Sequence, residues 1–410
     1  MNVLIIGSGF APAHRKLKEQ GHKIFIIPDP HKKRLADIEE LYEVVIYIHD
    51  VGHIEEYANR ICDQKLLFNI DRVISFNEKW QCIAARVASR SGLPIIIEES
   101  LVELTIDKYA MRKHLQQTGI ASVQFEKVTH YEDLPDAFRR IGFPAILKPL
   151  SGEASRNIFL IKDEVSYQQL ATTLKKEFNE DYLLESFVAG DEYSIEAVSY
   201  NGKHYILAIT KKFKNENFIE IGHLLPAPLN AEQTSQIHEY VKSILEALNF
   251  NNCPSHTEVI LSPSGPVLIE SHTRPGGDNI YRLLEFSNGV DLMNIVAKIN
   301  TNALQDSDLC KKKETEYAAI WYAAQEGNNA FTLEAISHIE EAWNSESIKD
   351  ITLLTQLGDH ARKVTNSFDR SAFAIATGKT SDDALHAAKS ALAKISFHYR
   401  YHLPLQQVNS

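Results

Sequence analysis

The chain has 410 residues, 44% of them hydrophobic and 24% charged, with no long Pro, Gly or Ser tract, so a sizeable core divided over two or three domains, with a cleft between lobes, is expected. Its 43 basic and 54 acidic side chains leave a net charge of -11, which argues against a general affinity for nucleic acid or anionic membranes while leaving room for a local nucleotide site. No apolar run approaches the roughly 20 residues that span a bilayer, and the start lacks the features of a signal peptide, so the expected location is the cytoplasm.

In chain order, an apolar strand at residues 3–6, a helix at about 13–20 and a strand at 23–27, bounded by Gly21 and Pro28, make a βαβ opening. Further strands are expected at 44–48, 72–75 and 94–97, with an amphipathic helix between the last two, giving a small α/β domain over residues 1–104. Gly7-Ser8-Gly9 begins like a dinucleotide fingerprint, but the third glycine is missing and no acidic residue closes the second strand, so a tight strand-to-helix turn is the better reading than an NAD site. Cys62, Cys82, Cys253 and Cys310 are scattered, without CxxC or metal-ligand spacing, and read as buried free thiols.

From about residue 105 to 305 the pattern changes to helices mixed with antiparallel hairpins, and this is the expected working domain. Lys148 ends the apolar run 143–149 and is followed by a small-residue loop over 151–158. Such a strand and loop can aim an ammonium and backbone N–H groups at phosphate, without being a P-loop; the plainer alternative is a lysine snorkelling at a strand end. A strand, turn and strand over 182–196 set Glu185 beside Phe187 and Val188, an edge suited to a purine. Asn201-Gly202 signals a two-residue hairpin whose symmetric pairing sets Glu192 opposite Lys211. A structural ion pair is the preferred reading there, with a ribose acceptor beside a phosphate cation as the alternative.

The most informative segment is the pair of strands around Ser262-Pro-Ser-Gly-Pro266. Symmetric pairing about Ser264 sets Glu258 opposite Glu270 and His256 opposite His272 on one face, with Val259, Leu261, Val267 and Ile269 on the other. Two opposed carboxylates repel unless a cation lies between them, and magnesium, which keeps sites for water and phosphate, is the natural one; the plainer alternative is that both glutamates face solvent. Zinc at the two histidines suits the set less, because no thiolate or third imidazole completes it. Arg274-Pro-Gly-Gly-Asp278 then supplies a permanent cation and permissive backbone just beyond the second glutamate.

The third segment, 306–410, opens with a charged connection over 306–316 that includes Lys311-Lys312-Lys313. Strand-like runs follow at 318–323, 351–354 and 372–376, then a helix over 381–395 with Leu385, Ala388, Leu392 and Ile395 on one face, and an end expected to fray after His398.

These blocks, in this order, resemble the ATP-grasp superfamily, particularly the carboxylate–amine ligase branch that includes bacterial L-amino-acid ligases. The likeness spans the layout of the chain, and its specific part is about 105–285. It implies an α/β and α+β multidomain protein of ATP-grasp fold: an N-terminal βαβ domain (1–104), an ATP-grasp core (105–305) with a lid subdomain at about 125–195, and a C-terminal α+β segment (306–410). By this resemblance Lys108 and Lys148 contact nucleotide phosphates; Lys211, in the ribose-acceptor alternative above, is a further phosphate cation. Glu185 and Val188 recognise adenine, and Glu192 holds the ribose. Glu258 and Glu270 match the magnesium ligands; His272 stands where many members have asparagine and is a third ligand, direct or through water. Arg274 steadies the transferred phosphoryl group, and Glu220, His223, Gly276 and Gly277 face the substrate. The implied activity is an ADP-forming ligase using ATP and Mg2+ (or Mn2+) to activate a carboxylate, an amino acid by first choice, as an acyl-phosphate for an amine. Alternatives are transfer to a carrier-protein thiol, as in antibiotic biosynthesis, and a non-catalytic nucleotide-binding regulatory module. The expected partners are small carboxylate and amine substrates, an acyl carrier protein in the thiol case, and a second copy of the chain in a homodimer.

Overall fold

The structure is a computed structural model of the chain that describes residues 1–401 apart from 31–37, 49, 64–67, 121–122, 151–155, 313–314, 325–330 and 362–363. The first part of the small-residue loop after Lys148, Lys313, and the expected frayed end beyond residue 401 therefore lie outside the described residues.

The N-terminal sheet is parallel throughout, in the order Val44–Val45, Lys23–Ile27, Asn2–Ile6, Arg72–Ile74. Burial on both faces, by Leu4 and Ile6 on one side and Val3 and Ile5 on the other, explains its continuous apolar runs. Gly7 has φ +89° and a Cβ there would sit 2.4 Å from the Trp80 ring, so the first glycine serves a tight turn with an indole packed on it. Two expected strands change. The run at 44–48 pairs only over Val44–Val45, and 94–97 forms no strand. The sheet ends at Arg72–Ile74, so Ile96 and Ile97 pack as a connector between helices Glu78–Arg90 and Glu99–Ile106.

A four-stranded antiparallel sheet follows, ordered Phe125–Val128, Tyr182–Ser186, Ala145–Pro149, Phe159–Ile161. Helices Leu134–Ile141 and Glu164–Glu177 cover it around Leu134, Phe138, Leu147 and Tyr182, a core of its own. Asp163 caps the second helix in a reciprocal capping box with Ser166.

The chain then enters an eight-stranded sheet, ordered Gly265–His272, Cys253–Ser262, Asp191–Tyr200, Lys203–Lys214, Glu220–Leu225, Tyr317–Ala323, Ala372–Gly378, Ile348–Leu353. Strands from the third segment thus complete the sheet begun by the second. Helices Ile280–Asn288 and Leu292–Asn300 join it to the N-terminal sheet through one shared core, in which Val3 and Ile5 pack with Leu283, Ile295 and Ile320. Helix Ala231–Ala247 covers another part of the sheet. The expected C-terminal helix runs over Ser381–Lys394, with Ala388 and Leu392 buried.

Two irregularities decide where side chains point. Asn201 and Gly202 both have positive φ (51° and 74°), as a type I′ hairpin requires. A bulge between Ile206 and Ala208 then moves the pairing by one residue, so Lys211 lies opposite Tyr193 and not opposite Glu192. In the other hairpin the pairs His256–His272 and Glu258–Glu270 form as the sequence indicates. Past Glu258 the register slips and Val259 faces Leu268. Leu268, not Val267 or Ile269, is therefore the residue buried with Val259. The cysteines are free thiols, Cys62 and Cys253 buried as expected but Cys310 exposed. Among the described residues, no helix is long and apolar enough to cross a membrane.

Candidate active site

One face of the eight-stranded sheet carries Glu192, Glu196, Lys212, His256, Glu258, Glu270 and His272, because alternation sends every second side chain of each strand to the same side. The four-stranded sheet contributes Lys148 and Glu185. Helix Lys108–Gln117 contributes Lys108 and Arg112, one turn apart on one face; its N-cap Asp107 accepts from the N–H groups of Tyr109 and Ala110 at 2.9 and 3.0 Å.

Glu185 is buried between two cations, with Arg112 Nε 2.5 Å from one oxygen and Lys148 Nζ 2.6 Å from the other. Desolvation alone would raise its pKa, but Arg112 and then Lys148 outweigh it and hold the carboxyl at about 2. The carboxylate expected to edge a purine is thus committed to holding Lys148. Half-buried Val188 sits between the two sheets, just beyond the end of Tyr182–Ser186.

Lys212 is the cation that the symmetric hairpin reading missed. The bulge turns it onto the carboxylate face, 2.5 Å from Glu258, 3.0 Å from Glu192 and 3.6 Å from Glu220. Desolvation works against its charge, yet the three carboxylates, Glu258 foremost, keep it protonated. Lys214 also pairs with Glu192, while the expected Lys211 turns to Asp191 at 2.8 Å. The structural ion pair at Glu192 therefore exists, with Lys212 and Lys214 as its partners.

Behind the two opposed glutamates stands a row of imidazoles. His256 Nδ1 is 2.5 Å from Glu196 and its Nε2 is 3.0 Å from Glu258. His272 Nδ1 is 2.8 Å from Glu78 and its Nε2 is 3.2 Å from Glu270, so both of its ring nitrogens face carboxylates. Lys108 approaches Glu270 at 3.3 Å. Both glutamates resist the desolvation that would neutralise them: Lys212 and His256 hold Glu258 well below the ordinary carboxylate range, and Lys108 and His272 do so for Glu270. Two half-buried anions on neighbouring strands fit a hard divalent cation that keeps waters and phosphate oxygens. Among the described residues, no three His, Cys, Asp or Glu side chains converge as a closed metal site.

Beyond Glu270 the chain turns through Arg274-Pro-Gly-Gly. Arg274 is half-buried and close enough to Glu78 to help hold that carboxyl down, after His272; its Nη1 donates to the carbonyl of Pro275 at 3.0 Å. Next to it opens a cavity of about 420 Å³ between this turn, the turn after the first strand, and the third segment. Its polar wall is Asp278, gripped by both terminal nitrogens of Arg370 (2.8 and 2.6 Å) and by His223 at 2.9 Å. Arg370 also stacks 3.7 Å over the Tyr322 ring. Glu220 contacts this wall from behind, through Ser367 and through its own carbonyl, which accepts from Arg370 at 3.3 Å.

The structure thus gathers Lys108, Lys148, Glu185, Glu192, Glu258, Glu270 and His272 into one charge network, and puts Gly276 and Gly277 on the lining of the adjoining cavity, with the expected substrate-facing His223 buried behind it against Asp278. Sequence reasoning missed Arg112, Lys212, Glu78 and Arg370. Arg112 had a readable signal, its spacing of four from Lys108 in a capped helix. Glu78 and Arg370 meet their partners only through tertiary packing.

The sheet that presents opposed glutamates and the smaller sheet that swings a lysine toward them define an ATP-grasp architecture. Residues 141–281 match the ATP-grasp domain family, and residues 330–400 match the L-amino acid ligase C-terminal domain 2. The chain thus holds an ATP-grasp domain followed by an L-amino acid ligase C-terminal domain. It is 27% identical over 314 residues to the alanine–anticapsin ligase of Bacillus subtilis strain 168, covering 70% of this chain and 66% of that protein. It is 26% identical over 311 residues to the L-arginine-specific L-amino acid ligase of Bacillus subtilis, covering 73% of each. An L-amino acid ligase from Bacillus licheniformis superposes with a TM-score of 0.82 at 20% identity, over 97% of this chain and 98% of that one. An ADP complex of N5-carboxyaminoimidazole ribonucleotide synthetase superposes at 0.74 with 15% identity, over 95% and 96%. These two likenesses are of fold.

Proposed function

We propose that this protein is an ADP-forming ligase that uses ATP to activate the carboxylate of an amino acid as an acyl-phosphate and passes the acyl group to an amine. The observation that carries this reading is the juxtaposition of the Glu258–Glu270 pair, three buried lysines and the cavity beyond Arg274. The names of the similar proteins, amino acid ligases among them, support the choice of substrate class.

Glu258 and Glu270 would hold Mg2+, which when bound would supply positive charge to offset that on the transferring phosphoryl group. Lys148, fixed by Glu185, and Lys108 bind phosphate; Lys212 and Lys214 orient Glu192 for the ribose. The half-buried Val188 segment, where the chain passes from one sheet to the other, receives the adenine. His272, with both ring nitrogens toward carboxylates, orients Glu270 in preference to acting as a ligand. Arg274 meets the charge that accumulates on the phosphoryl group as it moves in line to the carboxylate, since positioning and electrostatics do most of the work in this reaction. Closure of the smaller sheet over the nucleotide would exclude the water that hydrolyses an acyl-phosphate.

The test is ADP release by the purified protein with ATP and Mg2+ across amino acids offered singly and in pairs. Amino-acid-dependent release that disappears in Glu270→Ala supports the ligase. Release that is indifferent to both would sink it.

A further inference from the structure

The wall of the cavity opposite Asp278 is apolar and open to solvent. Phe10 from the first turn and Phe373 from the large sheet form its base, and Leu354 and Phe368 from the third segment form its rim. Leu354 is 48% exposed and Phe368 is 70% exposed. Exposed large apolar side chains, set around a concavity with a few polar groups at one end, mark a place where something apolar is buried.

The polar end has a defined capacity. A carboxylate offers about four acceptor positions, and on Asp278 three are taken, two by Arg370 and one by His223. Among the described residues one position, on Oδ1, remains for a further donor, since Oδ2 accepts from both Arg370 and His223. Gly276 and Gly277 line the cavity beside Asp278, so a ligand with its ammonium at Asp278 would set its carboxylate against the backbone of that turn and its side chain against Phe10 and Phe368.

We propose that this cavity selects an α-amino acid with a bulky apolar side chain, aromatic or branched aliphatic, with Leu354 and Phe368 as specificity-determining residues. The proposal rests on the ligase reading and narrows it. A small or charged side chain leaves the apolar rim in water or brings an uncompensated charge against it. Each methylene that such a wall covers is worth about tenfold or more in discrimination between substrates.

The experiment compares kcat/KM for ADP release with Phe, Leu, Met, Ala, Ser, Asp and Lys as the varied amino acid, in the full chain and in Phe368→Ala, Leu354→Ala and Phe368→Leu. Expected are a preference of at least tenfold for Phe, Leu or Met over Ala and Ser, a drop of that ratio by fivefold or more in either alanine variant, and its partial return in Phe368→Leu. The drop should come through KM for the bulky amino acid, a split that a merely structural loss would not give. Equal use of small or charged amino acids overturns the proposal while leaving the ligase standing, and so does an unchanged ratio in all three variants. ADP release that no amino acid stimulates removes the ligase reading and this proposal with it.

Discussion

Glu196 and Gly276 are tied directly: the backbone N–H of Gly276 donates to Glu196 Oε2 at 2.9 Å, while the other oxygen of Glu196 lies 2.5 Å from His256. Because His256 in turn contacts Glu258, the turn beyond Arg274 is fastened to one of the opposed glutamates through two buried side chains. Neither link depends on solvent, and Glu196 is only 1% exposed.

Gly276 has no room for a side chain. A Cβ there would stand 2.6 Å from Glu196 Oε1 and 2.7 Å from His256 Nδ1. Gly276→Ala is expected to push the turn away from Glu196 and lower kcat for ADP formation by about 100-fold, the scale set by an ångström of misplacement. Steady-state kinetics beside a thermal melt check this; a fully active Gly276→Ala would mean the turn is not fixed by this contact.

Lys212 is expected to be worth more than a surface lysine. Replacing it with Met leaves Glu258, Glu192 and Glu220 without their shared cation, and breaking a buried ion pair from one side costs about 3–5 kcal/mol. Urea unfolding of Lys212→Met measures the loss. Adding Glu192→Gln should recover part of it, because the two residues are in contact and their effects do not add. Simple additivity would show that the contact carries no coupling.

Acid should weaken the junction between helix Lys108–Gln117 and the smaller sheet. Glu185, held at about 2 in the folded chain against an ordinary 4.5, contributes stability that is fully present above pH 4.5 and is lost as pH falls toward 2. The gap corresponds to roughly 3 kcal/mol at one group. Melting temperatures between pH 6 and 3 should fall with a slope that is shallower in Glu185→Gln, which starts lower. Parallel slopes would assign the acid loss to other carboxylates. Asp278, depressed by Arg370 and His223 despite its burial, acts in the same direction.

The parts of this site that alternation and a marked turn determine were legible in the sequence. Glu258, Glu270, His256 and His272 follow from counting outward from Ser264, because the one-residue slip between Val259 and Glu258 brings a pairing that starts with Ser262 opposite Gly265 onto that register. The Glu192 partner was misjudged by one residue for the same kind of reason: a bulge at 206–208 leaves no mark in an apolar run, yet it exchanges Lys211 for Lys212. The connector at 94–97 has a strand's composition and no neighbouring strand to pair with, which only the assembled sheet reveals. Arg370 and Glu78 belong to partners 92 and 194 residues away along the chain, a distance over which periodicity says nothing.

The order of strands in the large sheet bears on how the chain is made. Leu224 pairs with Ala319, and Ala318 with Thr377, so a chain emerging from the ribosome has its opposed glutamates in hand about a hundred residues before the sheet that seats them can close. Until Tyr317–Ala323 arrives, Glu220–Leu225 is an open edge rich in apolar side chains, the kind of surface on which unfinished chains join one another. Shortening the protein from its C-terminal end would leave that edge permanently bare, so a fragment that ends at the ATP-grasp domain is a sheet with one side unfinished.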